Sequence, residues 1–318
     1  SYFFSYPAKG MDMFQPDKVR LYLDHIREDH SPVEDILKGN IFRYGLWLLT
    51  IPAIVYGAVE RGLSAFAQSD VNVNDMSYCL IALVMLMAWV CIGLVEDQSA
   101  TKLLKEKEAL APAGAVFTDS ACIAQQSYRL PFPYLCQIYH LLNLKHLEDI
   151  HRFSLGNLKV IKVSHFQETQ VGGQIRFKTM LDSPFNVLRL WRDPSVDVDL
   201  TIHSPHQIEL KVPAYGQKSI RVLFSVIPLN IEEHYLCIQM FSDLKWPREL
   251  LKAILLLAAS LTLLEDLPYL RHLAKRNYKQ LSKRPLQRRN TSQAMQLFHH
   301  YVDLYSDRWE YQKLQLLD

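Results

Sequence analysis

Two long uncharged apolar blocks constrain this chain more than any other feature of its sequence. The first, 44–59, reads YGLWLLTIPAIVYGAV, and the second, 78–95, reads YCLIALVMLMAWVCIGLV. A bilayer core of about 30 Å takes roughly 17–25 helical residues. The second block meets that length directly. The first meets it when Ile41, Phe42 and the stretch 63–67 extend it, with Arg43 reaching back to the interface. Phe42, Tyr44, Trp47 and Trp89 stand where an aromatic belt would lie. Pro52 is tolerated inside a membrane helix better than inside a water-exposed one. These features predict a transmembrane helical hairpin over 41–97.

Basic residues set its orientation. Arg27, Lys38 and Arg43 precede the first block, and Lys102, Lys105 and Lys107 follow the second, while the connecting loop 60–77 holds Arg61 beside Asp70 and Asp75. The positive-inside rule then puts both termini on the cytoplasmic side of a bacterial inner membrane or an organellar membrane. Neither block contains His, Asp, Glu or Lys, so the hairpin reads as an anchor rather than an ion path.

The rest of the chain divides by its periodicity. Residues 1–40 form an N-terminal segment, in which Ser31-Pro32-Val33-Glu34 is a capping box with proline at the first helical position. Residues 98–156 read as a helical connector. Within it Ile138, Leu141, Leu144, Leu147 and Ile150 draw an apolar stripe along one helix over 134–153. In 157–243 the period drops to two, as in Val196, Val198, Leu200 and Ile202 alternating with Asp197, Asp199, Thr201 and His203. About seven short strands bounded by turn residues predict an antiparallel β-sandwich or barrel. Residues 244–318 read as C-terminal helices with a basic segment between them. The apolar run 250–264 has an uncharged part of about a dozen residues, below spanning length, so it reads as a buried helix or one lying against the bilayer. The fold class expected is therefore an α+β membrane protein: an N-terminal two-helix hairpin carrying a cytoplasmic β-domain with flanking helices.

Two features of the C-terminal part suggest contacts. Arg271, Lys275, Arg276, Lys279, Lys283, Arg284, Arg288 and Arg289 form a basic run without an intervening acid. It fits anionic lipid headgroups or an acidic partner better than nucleic acid, because Tyr278 alone supplies an aromatic platform. Met295, Phe298, Val302, Tyr305 and Trp309 follow a 3-4 spacing, a packing seam for the chain's own β-domain or for a second molecule.

Chemistry is harder to find. The chain has five cysteines and no C-x-x-C pair, no P-loop, no G-x-G-x-x-G and no G-x-S-x-G. His140, His146 and His151, with Glu148 and Asp149, are the densest group of possible ligands. On one continuous helix, spacings of six and five do not share a face, which points to structural or solvent-exposed roles. His203 and His206 flank Pro205 at a turn, and Asp197 and Asp199 share the polar face of a strand. No catalytic, cofactor-binding or metal-binding residue is assigned on this reading, and no cofactor is expected. The function expected is a non-catalytic integral-membrane subunit or assembly scaffold of a larger complex. Its partners would be other membrane-complex proteins, with homo-oligomerisation as a further option. The alternatives are a membrane-bound enzyme acting on a lipid or lipid-linked substrate, and a membrane-disrupting or channel-forming effector. A pocket joining His140, His146 or His151 to Asp197 or Asp199 would favour an enzyme.

Overall fold

A computed structural model describes residues 33–68, 77, 80–81, 84, 122–151, 154–155, 158–170, 172–182, 187–275 and 295–315. All of them belong to one compact unit, Val33–Glu96 with Ser120–Asp318. Its centre is one antiparallel sheet of seven strands: β1 (Cys122–Leu130), β2 (Leu158–Thr169), β3 (Gly172–Leu181), β4 (Ser195–Ser204), β5 (Gln207–Ala214), β6 (Lys218–Pro228) and β7 (His234–Ser242). The order across the sheet is β1-β7-β6-β5-β4-β3-β2. Consecutive strands from β2 to β7 are neighbours, joined by short turns except between β3 and β4, where 182–194 include the 3-10 helix Val187–Leu190. The first strand closes against the last, which sets the long excursion 131–157 at one end of the sheet.

The alternation of the sequence decides which face is covered. In β4, Val198, Leu200 and Ile202 are buried while Asp197 and Asp199 turn outward. Ile175 and Phe177 on β3, Ile208 on β5 and Leu236 and Ile238 on β7 continue the same core. Two helices lie on it. Helix α4 (Arg248–Lys275) follows β7 and contributes Leu251, Leu255, Leu256, Leu263, Leu267 and Leu270. Each such side chain contributes about 1.5–3 kcal/mol when fully buried. Gln126 on β1 fixes the lengthwise position of α4, donating to Ser260 Oγ at 3.0 Å and to the Leu256 carbonyl at 3.1 Å. Helix α5 (Gln296–Gln315) buries Leu297, Phe298, Tyr301, Val302 and Tyr305. The Tyr301 hydroxyl donates to the Pro205 carbonyl at 2.8 Å. Helix α1 (Val33–Gln68) packs along α4 and places Leu37 in the core. Between β1 and β2 sit α2 (Tyr134–Leu142) and the single turn α3 (His146–Asp149).

Several expectations are corrected here. The β-part is neither a sandwich nor a barrel, because the sheet has two open edges, β1 and β2, and its buried face is covered by helices instead of a second sheet. Six of the seven strands arise within 157–243, and β1 comes from 122–130, where inward Gln126 and Tyr128 mask the apolar alternation. The α+β membrane-hairpin class and the integral-membrane location are also corrected. Among the described residues no helix is long and apolar enough to cross a membrane. The first block lies inside α1, where its sixteen uncharged residues are flanked by Arg43 and by Glu60 and Arg61. Trp47 from that block is buried rather than lipid-facing. The second block lies outside the described residues, apart from Leu80, Ile81 and Val84. The third apolar run is the sheet-facing core of α4.

Close approach at the β3–β4 pair supplies a test of this packing. A Cβ on Gly172 would stand 2.0 Å from the Ile202 carbonyl oxygen, a backbone atom that cannot swing aside. We expect Gly172→Ala to destabilise the chain by about 1–3 kcal/mol, read as a lower urea midpoint. An unchanged midpoint would contradict the strand spacing described here.

Candidate metal centre

The site is built where one helix breaks. Helix α2 begins at Pro133 and ends at Asn143, whose φ of −90° and ψ of 96° are extended rather than helical. Asparagine favours such breaks because its side chain bonds the backbone ahead of it, and here Asn143 Oδ1 accepts from Lys145 N at 3.2 Å. The chain then turns back into α3. His140 comes from the last turn of α2, His146 opens α3, and His151 follows it. Spacings that separate these side chains on one helix bring them together across the break. The His140 and His146 ring centroids are 4.1 Å apart, and those of His146 and His151 are 5.2 Å apart. One ligand atom from each of the three lies within 4.8 Å of the others.

Helix α4 brings carboxylates to the same point. Asp266 Oδ1 lies 2.9 Å from His140 Nε2 and 3.2 Å from His151 Nε2. The four residues are buried, Asp266 and His146 at 8% exposure, His151 at 3% and His140 at 0%. Asp266 Oδ1 and both nitrogens of His140 have no hydrogen-bond partner among the described residues, although the two side chains are within 2.9 Å. Their contact is close but not aligned for a hydrogen bond. Buried polar atoms left this way carry a desolvation cost of about 1–3 kcal/mol each.

The outer nitrogens of two histidines are held. His146 Nδ1 faces the Asn143 carbonyl at 2.5 Å, which requires the proton on Nδ1 and leaves Nε2 as a bare lone pair. His151 Nδ1 faces Glu265 Oε2 at 3.3 Å, and Glu265 is itself braced by the Ser154 hydroxyl and the Ser154 backbone N–H. A carboxylate or carbonyl behind a histidine is the usual support of a metal ligand. Burial pushes the His146 pKa well below the ordinary histidine value, with His140 and His151 adding to the fall. The imidazole is therefore neutral, the form that binds a metal. Beside them Tyr269, one turn after Asp266, has its ring centroid 5.4 Å from that of His140. Burial pushes its hydroxyl pKa up to about 12.

The residues fit an ion on simple geometry. Ligands on bonds of about 2.0–2.1 Å stand about 3.0 Å apart at a right angle and about 3.4 Å apart at a tetrahedral one. The contacts of Asp266 Oδ1 at 2.9 and 3.2 Å bracket the first value. Among the described residues the group of three or more His, Cys, Asp or Glu that could hold a metal is His140, His146 and His151, and Asp266 touches two of them.

Other residues singled out in the sequence lie elsewhere. Asp199 is bound by Arg176 at 2.6 and 2.9 Å, and Asp197 stands opposite Lys178 in the β3–β4 register, so both lie on the open face of the sheet away from the histidines. His203 meets Glu209 at 2.7 Å, and His206 packs by Tyr134. Arg271 forms an ion pair with Glu34 of α1, and Lys275 ends α4. Arg276, Lys279, Lys283, Arg284, Arg288 and Arg289 lie outside the described residues. Of the seam, Phe298, Val302 and Tyr305 are buried against the chain's own core and Met295 packs at its margin. The side chain of Trp309 is not among those described. Asp266 was missed because it stands inside an apolar helix. Two consecutive acids, Glu265 and Asp266, at the end of a buried apolar run were the available signal.

No protein-family model matches the chain, and no curated protein matches it either. Solved structures similar to it include a dicamba monooxygenase bound to dicamba, at 13% identity and a TM-score of 0.48, covering 66% of each chain. NdmB of Pseudomonas putida CBB5 is similar at 14% identity and a TM-score of 0.41, covering 61% of this chain and 52% of that one. A quaternary ammonium Rieske monooxygenase is similar at 12% identity and a TM-score of 0.40, covering 68% and 56%. The chain thus spans between about half and two thirds of these proteins. The expectation of a non-catalytic membrane-complex subunit is corrected by the chain itself: among the described residues no helix is long and apolar enough to cross a membrane, and three buried histidines that could hold a metal stand beside Asp266.

The buried histidines give the metal-free chain a defined pH response. Burial lowers the pKa of His146, and on β7 burial lowers that of His234 to about 4, partly offset by its bond to the Phe132 carbonyl. Unfolding returns both toward about 6.5, so below that pH the unfolded chain binds more protons and stability falls. At pH 5 His234 alone removes about 2 kcal/mol relative to pH 8. Chemical denaturation between pH 8 and 5 checks this, and a flat profile would contradict the neutral, buried state of these rings.

Proposed function

We propose that this chain is a metal-dependent oxidoreductase domain. Its mononuclear centre, held by His146, His151 and Asp266, takes non-haem iron and supports O2-dependent oxidation of an organic substrate. The observation that carries the reading is that two outward-braced histidines, His146 and His151, stand together and a buried carboxylate, Asp266, lies 3.2 Å from the inner nitrogen of His151. Two histidines and one carboxylate with open positions are the ligand set of non-haem Fe(II) oxygenases. When bound, ferrous iron supplies the one-electron chemistry toward O2 that side chains lack. Electrons would come from an external reductant or from the substrate.

The chain's own residues do the preparatory work. The Asn143 carbonyl fixes the tautomer of His146, so its Nε2 faces inward without a proton to lose. Glu265 and Ser154 do the same for His151 and restrain the loop that carries it. Asp266 brings a negative charge into a buried site, which is costly without a cation and favours a divalent ion over a vacancy. Leu263 and Leu267, on either side of Asp266 in α4, are buried with it.

Metal content and a spectroscopic probe test this reading. Full-length chain reconstituted anaerobically with ferrous ion is expected to bind one iron, and added nitric oxide should give the electron paramagnetic resonance of a high-spin ferrous–nitrosyl complex. His146→Ala and Asp266→Ala should each abolish the signal. A chain that excludes iron, or takes up zinc alone, would refute the assignment.

A further inference from the structure

His140 differs from its two neighbours. His146 and His151 each have an outer nitrogen facing an acceptor, whereas His140 has neither nitrogen hydrogen-bonded among the described residues. Yet it is the most buried of the three, at 0% exposure. An imidazole sealed from water normally finds a partner. Its Nε2 lies 2.9 Å from Asp266 Oδ1, close enough for a strong hydrogen bond, but without the alignment of one. His151 Nε2 stands in a similar relation to the same oxygen at 3.2 Å. Two nitrogens crowding one carboxylate oxygen without bonding to it point at a shared position beside it. That is the relation of neighbouring ligands on one ion, where right-angle separation is about 3.0 Å.

We infer that His140 is a fourth protein ligand, so that the centre is a three-histidine, one-carboxylate site. The inference rests on the metal centre proposed above and adds one ligand to it. Coordination through Nε2 gives this buried nitrogen the partner that the fold does not supply. His140 reaches the site from the last turn of α2, before the break at Asn143, while His146 and His151 come from beyond it. The ion would thus clamp both sides of the break to α4. A six-coordinate ion with four protein ligands keeps two open positions rather than three. An organic substrate that chelates through two atoms would then leave no position for O2. The substrate class that fits is one bound beside the ion and not chelated to it.

Cobalt(II) is the probe, because its absorption reports coordination and each bound histidine whose other nitrogen keeps its proton contributes a strongly shifted N–H proton resonance. The full chain loaded with one Co(II) is expected to show three such resonances. His140→Gln should weaken Co(II) binding at least about tenfold and remove one resonance. In His140→Ala, added imidazole should restore the absorption spectrum of the unsubstituted chain. Two resonances in the unsubstituted chain, or a His140→Gln spectrum and affinity equal to its own, would overturn the fourth ligand. If in that case His146→Ala and Asp266→Ala still lose Co(II), the centre itself stands and only the role of His140 falls. A chain that binds no Co(II), or binds it regardless of His146 and Asp266, would overturn both readings.

Discussion

The packing of α4 across the inner face of the sheet is the contact on which the remaining structure depends. Its leucines cover the side of the strands that alternation makes apolar, and they do so at a lengthwise position fixed by Gln126 and Ser260. That position decides where Asp266 ends up. A shift of one residue along the helix would rotate the carboxylate by about 100° and leave the histidines facing an apolar surface. Core packing and site geometry are thus one constraint. Helix α1 reinforces it from outside through the Arg271–Glu34 ion pair and Leu37.

Charge burial explains why so many polar groups crowd one small volume. A carboxylate removed from water needs a compensating cation or hydrogen bonds. Glu265 finds its bonds in Ser154 and His151. Asp266, on the next residue and therefore a different side of the helix, meets two imidazoles with no aligned bond at Oδ1. One acid serves as scaffold and its neighbour is left for chemistry. The division follows from their angular separation on α4 and from the loop that happens to face each.

The histidine cluster shows where the sequence could be read and where it misled. His140, His146 and His151 were visible as the densest group of ligands, but a continuous helix over 134–153 would have scattered them. The break at Asn143 reverses that conclusion, and an asparagine in a helical stripe is a weak signal because the flanking Ile138, Leu141, Leu144 and Leu147 keep an apolar period across it. The two apolar blocks misled in another way. An uncharged run of sixteen residues satisfies a membrane pattern, yet Trp47 finds burial within the fold, and Leu37 just ahead of the run packs against protein. Composition reports that a surface avoids water but not which surface covers it.

By itself the sequence determined the elements that depend on neighbouring residues. The period-two alternation of β4 and β5, the entry of α2 at Pro133, the start of a helix after Ser31-Pro32 and the length limit on 250–264 all follow from local geometry. Only the tertiary structure decided that the strands form one open sheet closed by β1 against β7, and that a carboxylate 126 residues from His140 completes a site with it. Pairings at such separation depend on how α4 packs against β1, and no local period in the chain records that packing.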